Sequence, residues 1–199
     1  MSLELFNSLA TFGTFLVIAA TAIAALVQLR HARSANQIEA INHLMQKFES
    51  ADYHSALNFV ITALAKKWQD PDFRYQLANR VARNRENQIL ISQINLVANS
   101  HEDLGLLVKR RLIERDMALD LFSPNALQAW KNVEAVAAAL RRTDASAWEN
   151  FEYFVVLSQD WQAAHPDGTY PPGIRRLALR DDLREVDAKY EDSLVTTRA

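Results

Sequence analysis

The sequence predicts an all-α protein: an N-terminal transmembrane helix that continues into a juxtamembrane helix and then into a cytosolic helical bundle. Three observations predict it. The stretch from Leu9 to Val27 carries no charged residue, no amide side chain and no proline. Only four glycines and five prolines occur in 199 residues, and Pro166, Pro171 and Pro172 cluster with Gly168 and Gly173, so few breaks are available elsewhere. Beyond Arg30, apolar residues recur at three-and-four spacing, with no strand-like alternation.

Glu4 and Arg30 bound the span, and the residues between them would rise about 37 Å as a helix, more than the ~30 Å hydrocarbon core. The membrane helix is placed at 9–29, after a short external tail at 1–8. Ala20-Thr-Ala22 and Ala22-Ile-Ala24 match the small-x-small pattern of a cleaved signal peptide. Against that reading, residues 1–8 hold Glu4 and no Lys or Arg, and the basic Arg30 and Arg33 follow the apolar run instead of preceding it. A retained anchor is therefore expected. Because Lys and Arg close to a span stay on the cytoplasmic side, the expected topology is single-pass, with the N-terminus outside and the domain in the cytoplasm. Ala20, Thr21, Ala24 and Ala25 have the spacing that lets two spans approach closely, although lipid-facing alanines look the same.

The helical pattern runs on from Arg30 through Ile38, Ile41, Met45 and Phe48 without interruption. Ser50 and Asp52 offer a start for a second helix, which buries Leu57, Val60, Ile61, Leu64 and Trp68 and ends near Gln69. Asp70-Pro71 caps a short helix to about Arg80. The longest stripe, Leu90, Ile94, Val97, His101, Leu104 and Val108, predicts a helix from about Glu86 to Arg110. Its histidine is expected to be packed rather than reactive. Residues 113–122 read as a short amphipathic helix, and Ser123-Pro124 as the start of another that runs to Arg141-Arg142 over Leu127, Trp130, Val133, Ala137 and Leu140. Ser146-Ala-Trp-Glu149 matches a capping box ahead of Phe151, Phe154, Val155, Ser158 and Trp161. A loop at 165–173 precedes a weakly apolar helix over 174–190, so one domain is expected over 30–190, with a frayed end at 191–199.

Composition excludes more chemistry than it suggests. The formal net charge of −2, with both signs mixed throughout, supplies no field to draw nucleic acid, which is not expected as a partner. Without cysteine there are no disulfides, thiolate metal sites or cysteine nucleophiles. The sequence holds no phosphate-cradling glycine loop, no G-x-S-x-G, no H-E-x-x-H and no calcium loop, so no catalytic residue, cofactor or metal is assigned. Glu39, His43 and His54 are of metal-ligating type, but spacing alone does not make a site. The candidate interaction or anion-binding residues are Arg74, Arg80 and Arg83 around Tyr75, then Arg141 and Arg142, and Tyr170, displayed between the prolines of the loop. A solvated helix end is the better account of the first three, since nothing else in the chain extends the patch.

The run from Gly105 to Phe122, then Trp130, Arg141, Arg142 and Trp148-Glu-Asn-Phe-Glu152, together with an anchor followed by Gln28-Leu-Arg-His-Ala-Arg33, resembles a family of small bacterial single-span membrane proteins filed under a domain of unknown function. The resemblance implies an N-terminal span, a juxtamembrane helix and a helical cytosolic domain at the bacterial inner membrane. It implies no catalytic residues. Similar sequences tend to have a small residue where this chain has Arg111, so that turn is expected to differ. A membrane-anchored adaptor or sensor is therefore the preferred reading, with the lipid bilayer and a protein partner, or a second copy through span or bundle, as its contacts. The alternative is a membrane-bound enzyme or effector that holds a phosphorylated or lipid substrate with the arginines.

Overall fold

The computed structural model describes residues 3–81, 84–178 and 181–196. Among these residues there are eight helices and no strand: α1 Leu3–Phe48, α2 Ala51–Thr62, α3 Leu64–Lys67, α4 Pro71–Ala78, α5 Arg85–Lys109, α6 Arg115–Leu140, α7 Glu149–Ala164 and α8 Arg184–Thr196. They fall into two compact units, divided between Pro166 and Asp167.

In the first unit, α1 is one unbroken helix of 46 residues that meets two environments. Its apolar stretch is exposed along nearly its whole length, including Phe12, Phe15, Ile23 and Leu29, whereas Ile41, Leu44 and Phe48 near its end are buried in the bundle. The change of environment follows the change of pattern. Up to Val27 the helix is apolar on all sides, and beyond Arg30 only one face is. One helix of this unit, α1, is long and apolar enough to cross a membrane.

The middle of the bundle is α5, which touches α1, α2, α4, α6 and α7. Its buried face holds Ile94, Val97, His101, Leu104 and Val108 of the stripe read from the sequence, with Ala98 added and Leu90 only half-buried. Opposite it, α6 buries Ala118, Phe122, Ala126, Ala129, Val133 and Ala137, and α7 buries Phe151, Phe154 and Val155. Each of the large side chains contributes roughly 1.5–3 kcal/mol by leaving water. Gly105 sets how closely α5 and α7 pack: a β-carbon there would fall inside the carbonyl oxygen of Asn150.

The caps expected at Ser50 and Asp70 form, and Asn84 supplies one that the sequence reading did not name. Ser50 Oγ accepts from the Tyr53 amide at 3.2 Å, Asp70 Oδ1 accepts from the Asp72 amide at 3.0 Å with Pro71 following, and Asn84 Oδ1 accepts from the Asn87 amide at 2.7 Å. Four local expectations are corrected. The second helix breaks at Ala63 (φ −122°, ψ −23°), and the short α3 carries Leu64 into the core at a new angle. Ser123-Pro124 does not start a helix, because α6 runs straight through Pro124, with Phe122, Ser123 and Ala126 buried on either side. Packing of that face outweighs the missing amide hydrogen, and the exposed Pro124 keeps its ring out of the core. The capping box does not close: Ser146 donates its hydroxyl to Asp144 Oδ1 at 2.7 Å, and α7 begins after Trp148.

The fourth correction lies in the second unit. The last helix starts at Arg184, ten residues later than Ile174, and extends through Thr196, so residues 191–196 are helical; 197–199 lie outside the described residues. Residues 174–178 lack a packed face to hold a helix, with Leu177 75% exposed, and Asp181-Asp182 favour a turn over a helix interior. The loop before them turns on Gly168 and Gly173, at φ 79° and 81°, where a side chain would be strained.

Candidate functional site

One concavity of the first unit lies where the end of α4, the polar side of α5 and the α6–α7 connection meet. It encloses about 530 Å³. Leu77, Leu140 and Trp148 form its apolar floor, Asn99 and Glu102 a polar edge, and Arg80 with Asp144 the rim. Arg80 sits here because α4 ends in a Schellman closure: the Val81 amide donates to Gln76 O at 2.9 Å and the Arg80 amide to Leu77 O at 3.1 Å, which leaves Arg80 left-handed at φ 55°. Its guanidinium meets Asp144 Oδ2 at 2.9 Å, on side chains that are 70% and 39% exposed. The Ser146 hydroxyl and amide, and then Arg80, hold the Asp144 carboxyl below the usual range, so it is a poor base.

Trp148 is the strained residue of this site. It is buried and left-handed at φ 54°, ψ 37°, a conformation that costs an L-residue roughly 1–2 kcal/mol. Two partners hold it there: its indole Nε1 donates to Asn99 Oδ1 at 3.1 Å, and Arg141 Nη2 donates to its carbonyl at 3.3 Å. Glu102 then replaces the missing capping box from another helix, accepting from the Phe151 amide at 2.8 Å and from Asn150 Nδ2 at 2.7 Å. A carboxylate at a helix N-terminus satisfies a free amide and favours the helix dipole. The cleft thus offers amides, one ion pair and an aromatic floor, groups that recognise a ligand but do not form a nucleophile–base pair.

A second chemical group is sealed inside the bundle. His101 is fully buried, stacked on Phe151 at 4.5 Å between ring centroids and edge-on to Phe48 at 5.0 Å. Its Nδ1 donates to Val97 O at 2.9 Å, and Nε2 has no partner among the described residues, like the nearby Tyr53 hydroxyl. Burial brings the imidazole down to about 4, with Lys47 adding to the effect against the Val97 bond, and the same burial pushes the Tyr53 hydroxyl up. It is a packed neutral histidine.

The residues singled out from the sequence do not converge. Among the described ones, Arg80 alone reaches the cleft. Arg74 donates to Trp68 O at 2.6 Å, and Arg141 clamps the α6–α7 connection through Ala147 O at 2.9 Å, Trp148 O, and Glu152 Oε2 at 2.8 Å. Arg142 is exposed, and Arg83 lies outside the described residues. Tyr170, in the second unit, donates to Arg175 O at 3.3 Å beneath the Arg176 guanidinium, 5.0 Å from its ring. Glu39 and His43 lie on the exposed side of α1, and no group of three metal-ligating side chains is found among the described residues. Sequence reasoning missed Gly105, Glu102 and Trp148. The glycine inside a long helical stripe was the one available signal.

Among the described residues, the first unit is an all-α bundle headed by one long apolar helix, with a cleft that offers amides, one ion pair and an aromatic floor. The chain belongs to the family described as Domain of unknown function (DUF4760), which matches residues 15–158. The match begins inside the apolar stretch of α1 and ends within α7, so it takes in the joint between them. No curated protein and no solved structure matches the chain.

Proposed function

We propose that the protein is a membrane-anchored interaction module, an adaptor or sensor at a bacterial inner membrane, with α1 as its single span, the N-terminus outside and the bundle in the cytoplasm. One observation carries the reading: the apolar stretch of α1 buries nothing in the bundle, yet the same helix continues without a break into the core through Ile41, Leu44 and Phe48. An apolar surface of that length left outside a folded domain needs a second apolar phase. The unbroken helix couples that phase to the bundle mechanically. The arginines that a phosphate-handling enzyme would use are engaged at Arg74 and Arg141 with main-chain carbonyls, which favours interaction over catalysis.

Co-purification of the full chain from native membranes in mild detergent, with the mass read by light scattering and the contents by mass spectrometry, tests this reading. A stoichiometric hetero-complex is expected. A homogeneous particle containing only this chain would overturn the adaptor reading. Topology is checked separately with C-terminal reporter fusions, which should be active only in the cytoplasm.

A further inference from the structure

We propose that the cleft between the juxtamembrane turns of α1 and the α5–α6 connection binds the phosphate headgroup of an anionic phospholipid. The proposal rests on the membrane-anchor reading above. The cleft encloses about 620 Å³ and is walled by Arg33 of α1, Lys109 and Arg111 at the end of α5, Arg115 at the start of α6 and Tyr153 of α7, with Glu114 the one carboxylate among them. These are four cations to one anion in a chain of net charge −2. Lys109 pairs with Glu149 at 3.3 Å and also donates to Asn150 Oδ1 at 3.0 Å, and Arg115 pairs with its neighbour Asp116 at 3.2 Å; both ion pairs are exposed and contribute little. No carboxylate among the described residues pairs with Arg33 or Arg111.

Arg111 occupies a position made for glycine. The α5 helix closes with the Arg111 amide donating to Val108 O and the Leu112 amide to Leu107 O, both at 2.9 Å, which holds Arg111 left-handed at φ 57°. Arginine there costs roughly 1–2 kcal/mol where glycine would cost little. The closure that imposes this φ also carries the Arg111 side chain to the wall of the cleft.

Depth supplies the occupant. As a helix, Thr11–Leu29 rises about 28 Å, close to the ~30 Å hydrocarbon core. Arg33 lies about 6 Å further along the axis, within a headgroup layer about 5–8 Å deep on each side. The other cations share that level because they line the same cleft. A guanidinium meets two phosphate oxygens at once, and basic pockets beside a span are where anionic headgroups lodge. A soluble phosphate carries the same oxygens, but a lipid also lays its acyl chains along the apolar surface of α1 and the 55% exposed Leu112 next to Arg111.

The test is native mass spectrometry of the full chain in mild detergent with added phosphatidylglycerol, phosphatidylcholine of the same chains, or inorganic phosphate. Phosphatidylglycerol should be retained and phosphatidylcholine lost, with millimolar phosphate failing to compete. Arg33→Gln and Arg111→Gln should each weaken retention by about fivefold. Arg111→Gly should weaken it while the melting temperature holds or rises, a combination that loss of fold cannot produce. Arg85→Gln, which removes the same charge at the far end of α5, should leave binding unchanged. Equal retention of both lipids, indifference to Arg33 and Arg111, or displacement by phosphate overturns the proposal. Carbonate extraction of the source membranes separates the two readings: release of the chain overturns the anchor and the proposal together, whereas a retained chain with no lipid preference overturns the proposal alone.

Discussion

His101 shows how a single side chain sets a pH dependence without performing chemistry. Folded, its imidazole ionises at about 4; unfolded, it returns to roughly 6.5. The unfolded chain therefore binds the extra proton between those values. The stability that the neutral ring contributes is present in full above about pH 6.5 and is lost as pH falls towards 4, amounting to about 3 kcal/mol. Urea unfolding of the wild type between pH 7 and 4 should show that loss on top of the carboxylate titrations, and His101→Leu should remove it; parallel pH profiles would refute the assignment. The same residue scale holds the left-handed Arg80, Arg111 and Trp148. Nothing in their side chains asks for φ above zero. The main-chain bonds that close α4 and α5, and the clamp of Asn99 and Arg141 on Trp148, impose it.

At the scale of elements, the contact of α5 with α7 depends on one missing side chain. Gly105→Ala would drive a methyl into the Asn150 carbonyl at the start of α7, and the overpacking should cost about 1–3 kcal/mol, read as a lower midpoint in chemical denaturation. The opposite sign is expected at Pro124. It is exposed in the interior of α6 and cannot donate to the Asp120 carbonyl, so Pro124→Ala restores a helical bond. The helix-interior penalty of about 3 kcal/mol is partly offset by the stiffness proline gives the unfolded chain, which leaves a gain of about 2 kcal/mol. A melting temperature that falls in Pro124→Ala would mean that the proline serves α6 in another way. Stripes at helical spacing located α5 and α7 from sequence because burial on one face repeats with the helix turn. Helix junctions were less legible: packing of α6 overrides the cap chemistry of Ser123-Pro124, the neighbouring Asp144 takes the Ser146 hydroxyl, and Glu102, which does cap α7, is far from it in sequence.

At the largest scale, the first unit joins an apolar rod to a bundle through one continuous helix. Since Ile41, Leu44 and Phe48 are the buried residues of α1 among those whose burial is described, a chain beginning at residue 36 should be soluble and keep the melting temperature of the full protein within a few degrees. Circular dichroism and a thermal melt decide it, and aggregation or loss of cooperativity would show that the apolar stretch supports the bundle as well as anchoring it. What the sequence by itself determined is the all-helical class, the uninterrupted passage from apolar run to core, and the buried histidine. These depend on periodicity and local composition, which act between neighbours along the chain. Only the tertiary structure decided which cations meet. Arg74 and Arg141 turned inward to carbonyls, while Arg33 joined Lys109, Arg111 and Arg115 from more than seventy residues away. A charge looks the same in sequence whether it closes a turn or lines a cleft, because its partners are chosen by helix packing rather than by spacing.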